Sequence, residues 1–279
     1  METKQKVWFV TGASKGFGLA LVKLLLSKGI RVAATSREEK ELARQVGDPN
    51  ENFLPLKVDI SSDESVKEAL RKTVDEFGRV DVVVNNAGYA IFGSVEELTD
   101  QEFRQSMDVN VFGTINTIRN VMPYLRKQGS GHIINIASVA GYRGFPSSSA
   151  YCSAKFALIG LSESLAEEVK PLGINVTVVA PGYFRTSFLD SGSVMITKNL
   201  ISAYNTGSME VAMQQMNGRQ PGDPQKLVKL LVDITSEANP PVHLVLGPDA
   251  FQLVEDTRKA EAIELETWKN LSFSTNIEG

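Results

Sequence analysis

Three side chains of the sequence have the types and spacing that proton transfer requires. Tyr151 and Lys155 stand four positions apart, and Ser138 precedes the tyrosine by thirteen positions. The apolar spacing predicts a helix over 150–170, which places positions i and i+4 on one face. An ammonium beside a phenol lowers the phenol pKa from about 10 toward neutrality, where it can transfer a proton. Such a pair is more often an exposed surface pair, so the catalytic interpretation depends on the rest of the chain.

A glycine-rich loop near the start of the chain favours that interpretation. The apolar run 7–10 is followed at once by Gly12, Gly16 and Gly18, spaced G-x-x-x-G-x-G, and then by a helical pattern. A strand that turns through glycines into a helix lets a pyrophosphate approach backbone N–H groups at the helix N-terminus. Many glycine-rich loops are only turns, but the position of this one predicts a dinucleotide-binding loop.

Apolar runs and amphipathic stretches alternate along the chain. Strands are predicted at 6–11, 31–35, 53–58, 80–85, 132–137, 174–180 and 242–246. Helices are predicted at 17–28, 39–46, 63–77, 100–127, 150–170, 223–236 and 249–269. Buried strands separated by helices predict an α/β fold with a doubly wound, seven-stranded and mostly parallel sheet. Ligands bind such sheets at the carboxyl ends of the strands.

Composition narrows the class of protein. The 279 residues, 42% of them hydrophobic and with a net charge of −4, predict a single globular domain over 1–279 and no nucleic-acid partner. No apolar run approaches the roughly 20 residues of a membrane span. Residues 1–6 lack the apolar core of a signal peptide, so a cytoplasmic location is expected.

Metal and thiol chemistry are not expected. The chain has two histidines and no Cys/His cluster, which predicts no metal site. His132 stands at a strand start and is interpreted as a structural edge residue. The single cysteine, Cys152, cannot form an internal disulfide, and without an activating motif it is interpreted as a small buried packing residue.

Taken together, these motifs resemble the short-chain dehydrogenase/reductase family. The matching residues follow the family's order from residue 6 to about 190: Thr11 to Gly18, Asp59-Ile60, Asn85-Asn86-Ala87-Gly88, Asn110, Ser138, Tyr151, Lys155, Pro181-Gly182 and Thr186. Each motif is weak alone, and the ordered set is highly specific. The resemblance implies a single Rossmann-type domain that transfers a hydride between a nicotinamide cofactor and a substrate carbon.

The resemblance also implies catalytic roles. Tyr151 would be the general acid/base, and Ser138 would donate a hydrogen bond to the substrate oxygen. Lys155 would lower the phenol pKa and bind the nicotinamide ribose. Asn110 would hold a water that connects Lys155 with bulk solvent.

The implied cofactor contacts lie after five of the strands. Asp59 would meet the adenine amino group, although it could also cap the following helix, and both roles can hold at once. The cofactor-binding set comprises Gly12, Ser14, Lys15, Gly16, Phe17, Gly18, Asp59, Ile60, Asn86, Ala87, Gly88, Tyr151, Lys155, Pro181, Gly182 and Thr186.

The end of the second strand favours NADP(H) over NAD(H). A carboxylate there would bind the ribose hydroxyls of NAD, whereas this chain has the neutral Ser36 and the cationic Arg37. Lys15 can supply a second positive charge to a 2′-phosphate. The alternative is that Arg37 is a solvated residue at a helix start.

Apolar residues between 183 and 222 predict a lid over the site and a lipophilic alcohol or ketone as substrate. Methionines and aromatics at this spacing are more often ordinary helix packing, so only part of the set is expected to touch substrate. The candidate substrate contacts are Phe145, Tyr183, Phe184, Phe188 and Met213.

The C-terminal part departs from the commonest family pattern. In place of an Asp-Gly-Gly-type tail, a charged helical extension is predicted over about 249–279. This end resembles the retinol/17β-hydroxysteroid-dehydrogenase-like branch and the bacterial oxidoreductases of that branch. A homodimer through the helices near 100–127 and 150–170 is expected, with a monomer as the alternative.

Two other functions stay open beside a carbonyl reductase or alcohol dehydrogenase. Some relatives use the same fold for epimerisation or dehydration with a tightly bound cofactor. A non-catalytic nucleotide-binding regulator is the third possibility, but it would need only the glycine loop and not Asn110, Ser138, Tyr151 and Lys155.

Overall fold

Seven parallel strands form the central sheet in the computed structural model, which describes residues 5–189 and 192–277. The strands of these residues are β1 (Val7–Val10), β2 (Arg31–Ser36), β3 (Phe53–Lys57), β4 (Val82–Asn85), β5 (Ala90–Phe92), β6 (Gly131–Ile136), β7 (Ile174–Pro181), β8 (Val194–Ile196) and β9 (His243–Leu246). The sheet order is β3-β2-β1-β4-β6-β7-β9, and every pairing is parallel. The predicted α/β class, the doubly wound sheet and its seven strands are confirmed.

Helices cover both faces of the sheet. Those of the described residues are α1 (Gly16–Ser27), α2 (Glu39–Val46), α3 (Asp63–Phe77), α4 (Asp100–Met107), α5 (Gly113–Gln128), α6 (Ser149–Val169), α7 (Gly207–Met216), α8 (Pro224–Asp233), α9 (Pro248–Thr267) and α10 (Lys269–Phe273). The helix predicted at 100–127 is interrupted, because residues 108–112 form a π-helical turn between α4 and α5. Helix α7 and the small parallel sheet of β5 and β8 were not predicted.

The core explains why the strands read as uninterrupted apolar runs. Val7 and Phe9 of β1 pack into the cluster that also contains residues of α3, α5 and α6. Trp8 and Val10 pack into the opposite cluster, with residues of α1 and α8. Successive strand residues point to opposite faces, and both faces of this sheet are covered. All four side chains are fully buried.

Polar side chains inside the sheet form specific cross-links. Asn85 of β4 donates to Asn135 Oδ1 at 2.8 Å, and Asn135 donates to Ser162 Oγ of α6 at 2.9 Å. His132, predicted as an edge residue, is instead buried in β6 between two neighbouring strands, with its Nε2 2.9 Å from Thr177 Oγ1. Burial lowers the pKa of His132 to about 4, so this ring is neutral near pH 7.

Among the residues that the structure describes, no helix is both long and apolar enough to span a bilayer. The predicted C-terminal extension consists of α9 and α10, with residues 278 and 279 outside the described part of the chain. Phe251, Leu265 and Trp268 of this extension are exposed, whereas Ala250 and Val254 are buried.

Candidate active site

The loops after β1 and β4 are joined by one threonine and one asparagine. Thr11 Oγ1 accepts the backbone N–H groups of Asn86 and Ala87, each at 3.0 Å. In return, Asn86 Nδ2 donates to the carbonyls of Thr11 and Gly12, each at 3.0 Å. These four hydrogen bonds hold the glycine loop against the Asn86–Gly88 segment, so both loops present one shared surface at the carboxyl edge of the sheet.

The glycines of the first loop are required by close packing and by backbone conformation. A Cβ on Gly12, whose φ is +64°, would lie 2.7 Å from Ala87 Cα. A Cβ on Gly18 would lie 2.5 Å from the Gly12 carbonyl oxygen and 2.6 Å from Asn86 Nδ2. Any larger residue at either position would push the two loops apart.

The N-terminus of α1 suits a pyrophosphate. The side chain of its N-cap residue, Lys15, makes no capping hydrogen bond, and the first turn of the helix contains no acidic residue. A Cβ on Gly16, whose φ is +57°, would approach no described atom more closely than Thr186 Cβ, at 4.0 Å. Free space at a helix N-terminus is what an anionic phosphate needs. Lys15, Ser14 and Phe17 border the same turn.

The residues predicted at the adenosine end lie after β2 and β3. Ser36 is buried and its hydroxyl donates to the Glu38 carbonyl at 2.6 Å, while Arg37 is exposed. Asp59 is exposed and its Oδ1 accepts the Ser61 N–H at 3.0 Å. Ser62, not Asp59, is the N-cap of α3, so the capping alternative for Asp59 is wrong.

Ile60, which follows Asp59, contacts α5 through both its backbone and its side chain. Its carbonyl accepts Asn116 Nδ2 at 3.1 Å, which fixes the segment after β3 to α5. A Cβ on Gly113 would lie 2.8 Å from Ile60 Cγ1, so only glycine fits opposite this side chain.

Asn110 lies in the π-helical turn and is fully buried. Its Nδ2 donates to the carbonyls of Tyr89 at 3.0 Å and Ser106 at 2.9 Å, and its Oδ1 accepts the Tyr89 N–H at 3.2 Å. A Cβ on Gly88 would meet both Asn110 Oδ1, at 2.6 Å, and Lys155 Nζ, at 3.8 Å. The asparagine amide and the lysine ammonium therefore flank the same glycine.

Tyr151 and Lys155 are on the same face of α6, as the spacing predicts. Lys155 is buried, its Nζ donates to the Ile136 carbonyl at 2.9 Å, and this nitrogen lies 5.5 Å from the centroid of the Tyr151 ring. Ser138 follows β6 and starts the short 3₁₀ turn over 139–141, where its Oγ accepts the Ala140 N–H at 3.2 Å.

The pKa of Tyr151 shifts in the direction opposite to the one predicted from its spacing to Lys155. Burial raises the pKa of Tyr151 to about 12, although a side-chain hydrogen bond with Ser138 opposes that shift. Burial also lowers the pKa of Lys155 to about 8. Loss of hydration disfavours the charged form of each group, and Lys155 is held by a carbonyl rather than by the phenol oxygen. The predicted lowering of the phenol pKa by Lys155 is therefore not observed in the protein alone.

The segment after β7 folds back over the glycine loop. Pro181 ends the strand, and Asp249 at the start of α9 accepts the Tyr183 N–H at 2.8 Å. Gly182 is in close contact with the same carboxylate. Thr186 faces Gly16, and its Oγ1 accepts the Phe188 N–H at 3.2 Å. Thr186 therefore lies beside the glycine loop.

The predicted substrate residues fall into different environments. Phe188 lies beside Tyr151, with ring centroids 6.4 Å apart. Phe184 is partly buried against the core and packs edge-on against Phe17 at 5.5 Å. Tyr183 is 47% exposed, whereas Phe145 and Met213 are partly buried. Asp190 and Ser191 of the predicted lid lie outside the described residues.

Sequence reasoning missed one aromatic residue of the site. Phe92 of β5 lies on another side of Tyr151, with ring centroids 6.5 Å apart. The apolar run 89–92 directly after the Asn86–Gly88 segment was the available signal. Three residues are too few to show an alternating pattern, so the sequence does not predict this strand.

The family model described as short chain dehydrogenase matches residues 6–194. The chain belongs to the short-chain dehydrogenase/reductase family. Oxidoreductase BOA17 of Botryotinia fuckeliana is 34% identical over 271 residues, which cover 97% of this chain and 99% of that protein. The 3-ketodihydrosphingosine reductase of Bacteroides thetaiotaomicron is 35% identical over 247 residues, covering 87% and 88% of the two chains.

Solved structures agree with this membership. A short-chain dehydrogenase from Streptomyces avermitilis is 34% identical and superposes with a TM-score of 0.89, covering 98% of this chain and 100% of that one. ElxO, solved with NADP bound, is 29% identical with a TM-score of 0.73, covering 89% and 99%. The protein is thus an oxidoreductase of this family, and its Rossmann-type fold is confirmed.

Replacing Gly18 with alanine is expected to separate the loops after β1 and β4. The new Cβ would overlap the Gly12 carbonyl and Asn86 Nδ2, and overpacking of this kind costs about 1–3 kcal/mol. NADPH affinity, followed by nucleotide fluorescence, should fall about tenfold or more. Gly160→Ala is the matched control, since no described atom lies within 4 Å of a Cβ at that helix position. It should stabilise the protein by about 0.5–1 kcal/mol and leave affinity unchanged; equal behaviour of both variants would refute the close-packing argument.

The buried ammonium predicts a pH-dependent difference in stability. Because the pKa of Lys155 is about 8 in the folded protein and 10.5 for an ordinary lysine, the unfolded chain binds more protons between these values. The free energy of unfolding of the wild type should therefore rise, relative to Lys155→Met, as pH increases from 8 to 10.5. Denaturant titrations across this range measure the difference, with Lys40→Met as the exposed control. If the difference in unfolding free energy between wild type and Lys155→Met stays constant with pH, the pKa of Lys155 is not lowered in the folded protein.

Proposed function

We propose that the protein is an NADP(H)-dependent oxidoreductase that interconverts a lipophilic carbonyl compound and its alcohol. The observation that carries the proposal is the convergence of Ser138, Tyr151 and Lys155 with Asn110. These residues come from the end of β6, from α6 and from the π-helical turn, and they meet at the carboxyl edge of the sheet. Neither a nucleotide sensor nor a binding module needs that group of residues.

Each residue has a distinct role in the proposed reaction. A nicotinamide cofactor held at the glycine loop would supply or accept the hydride at the substrate carbon. Tyr151 donates its proton to the carbonyl oxygen, and its high pKa keeps the phenol protonated, which is the form that reduction requires. Ser138 donates a hydrogen bond to the same oxygen as negative charge develops on it.

Lys155 and Asn110 support the proton transfer from behind the tyrosine. The pKa of Lys155, about 8, allows this group to exchange a proton near neutral pH. Asn110 is held by three hydrogen bonds beside Gly88 and next to the ammonium. The π-helical turn leaves the regular hydrogen-bond pattern of the helix, which suits a water that links Lys155 with solvent.

A lipophilic substrate is supported by the rings beside Tyr151. Phe92 and Phe188 each lie within 6.5 Å of its ring, measured between centroids, so the proton donor is bordered by aromatic surface. Apolar walls with a few polar groups are typical of small-molecule sites. A relative whose name specifies a keto substrate is consistent with a ketone.

The preference for NADP(H) rests on charge. Arg37 is exposed directly after β2, and the buried Ser36 at the end of that strand brings no carboxylate. Lys15 stands at the N-cap of α1. Two cations and no acid at these positions favour a 2′-phosphate. ElxO, which is similar to this chain, binds NADP.

The proposal includes a homodimer in the cytoplasm. Phe112 before α5 and Phe156 on α6 are 53% and 43% exposed, and paired helices would bury such rings. Sedimentation of the wild type and of Phe156→Glu tests the interface, since the charge should shift a dimer toward monomer.

Cys152 is buried as predicted, and burial raises the pKa of its thiol.

The direct test mixes purified protein with NADPH and a panel of hydrophobic ketones and aldehydes. Net consumption of the reduced nicotinamide, followed by absorbance, supports the proposal. Conversion of substrate without net consumption would instead assign an epimerase or dehydratase, and nucleotide binding without any conversion would assign a regulator.

Tyr151→Phe is expected to remove nearly all turnover while NADPH affinity stays close to the wild-type value. The ring and its packing against Phe92 and Phe188 remain, and only the proton source is lost. Steady-state rates and a nucleotide titration measure the two effects. If a tenth or more of the turnover survives, Tyr151 is not the general acid.

Arg37→Ala is expected to weaken NADPH much more than NADH, and the preference should shrink as salt rises. The substitution removes a charge pair with the 2′-phosphate, which NADPH carries and NADH lacks. Arg44→Ala, at an exposed arginine of α2 that pairs with Glu41, is the matched control. Equal losses for the two cofactors would show that Arg37 is only structural.

A further inference from the structure

Glu97 is a fully buried carboxylate outside the catalytic group. It lies between β5 and α4, and none of its surface is exposed. Its Oε1 accepts the Ile201 N–H at 2.9 Å. Its Oε2 accepts the Ser94 N–H at 2.8 Å and the Thr206 hydroxyl at 2.6 Å. Two of these three donors belong to a segment about a hundred positions away in the sequence.

The carboxylate is ionised despite its burial. Loss of hydration raises the pKa of Glu97, but the hydrogen bonds from Ile201, Thr206 and Ser94 together lower it to about 2. Several donors around one carboxylate stabilise the charged form more than burial disfavours it. A buried anion that loses one donor is left undersatisfied, so all three contacts are required together.

Thr206 links Glu97 to Ser147, which precedes α6, the helix that carries Tyr151. Because its hydroxyl donates to Glu97, it accepts from Ser147, whose Oγ lies 2.7 Å away. Ser147 has a φ of +54° and is the non-glycine residue with positive φ among the described residues. It stands two positions before α6, and its carbonyl accepts the Gly93 N–H at 2.8 Å.

Further contacts with β5 and with the backbone of Glu97 hold the segment 193–206. β8 pairs with β5, the Ala90 N–H donates to the Ser193 carbonyl at 2.9 Å, and the Thr197 hydroxyl donates to the Glu97 carbonyl at 3.2 Å. β5 also carries Phe92, whose ring lies beside Tyr151. Glu97 therefore contacts both segment 193–206 and, through Thr206, the residues that lead into α6.

We propose that Glu97 is a positioning residue that fixes segment 193–206 as a wall of the substrate site and, through Thr206 and Ser147, sets the start of the helix that presents Tyr151. Its effect on turnover rests on the proposed reductase function. The lid predicted over 183–222 is then not one moving unit, because its middle part is held by a buried charge before any substrate binds.

Hydrogen exchange tests the anchor without any assay of turnover. In Glu97→Gln, backbone amides of 193–206 should exchange about tenfold or more faster than in the wild type, while those of β1 and β4 stay protected. Asp100→Asn is the matched control, since it makes the same change three positions along at an exposed site paired with Arg104. Unchanged exchange in Glu97→Gln would overturn the proposal.

A second pair of variants covers the case in which Glu97→Gln does not fold. Thr206→Val removes the hydroxyl that links Glu97 and Ser147, whereas Thr206→Ser keeps it. Exchange of 193–206 and of the residues before α6 should rise in the valine variant and return toward wild type in the serine variant. Equal behaviour of the two variants would show that the hydroxyl network does not position these segments.

Kinetics then separate this proposal from the proposed function. With a ketone that the wild type reduces, Thr206→Val should raise the substrate KM about tenfold and lower kcat, with the KM for NADPH within about twofold. If no ketone is reduced by the wild type, the proposed function fails while the exchange results still decide the anchor. A change confined to the NADPH KM would contradict the positioning role.

Discussion

All seven strands of the central sheet run parallel, so their carboxyl ends share one edge and the loops that follow them must pack against each other. Thr11 and Asn86 satisfy this constraint by exchanging hydrogen bonds between the loops after β1 and β4. The contact is close enough that Gly12 and Gly18 cannot carry a side chain. The glycine loop and the Asn86–Gly88 segment, which borders Asn110 and Lys155, are therefore built as one surface, because backbone approaches backbone there.

Burial is the second determinant of the site, and it acts on Tyr151 and Lys155 in opposite directions. It raises the pKa of the phenol to about 12 and lowers that of the ammonium to about 8. Both shifts therefore act toward the neutral form, which leaves Tyr151 protonated near pH 7 and brings the titration of Lys155 close to that pH. A hydrogen bond with Ser138 limits the upward shift of the Tyr151 pKa. The sequence shows the spacing of the pair, but the degree of hydration depends on packing that no local pattern reports.

The large elements were predictable because their signals are local. Val7–Val10 is apolar throughout since both faces of β1 are covered. Tyr151 and Lys155 share a face because four residues are slightly more than one helical turn. β5 and β8 were missed because each is three residues long. The contact of Phe184 with Phe17 could not be predicted, since an aromatic residue after β7 looks the same in sequence whether it faces substrate or Phe17.

Glu97 could not be predicted for a different reason. In the sequence it is one of two adjacent glutamates, which is typical of a solvated turn, and its donors at 201 and 206 are more than a hundred positions away. In the structure Glu96 is exposed and accepts the Tyr204 hydroxyl, whereas Glu97 is fully buried. A buried charge tolerates no missing donor, so the wall that Glu97 holds must form together with the sheet edge beneath it. Variation in substrate preference within this architecture is then expected in residues that line the wall, such as Phe92, and not in the buried contacts that fasten it.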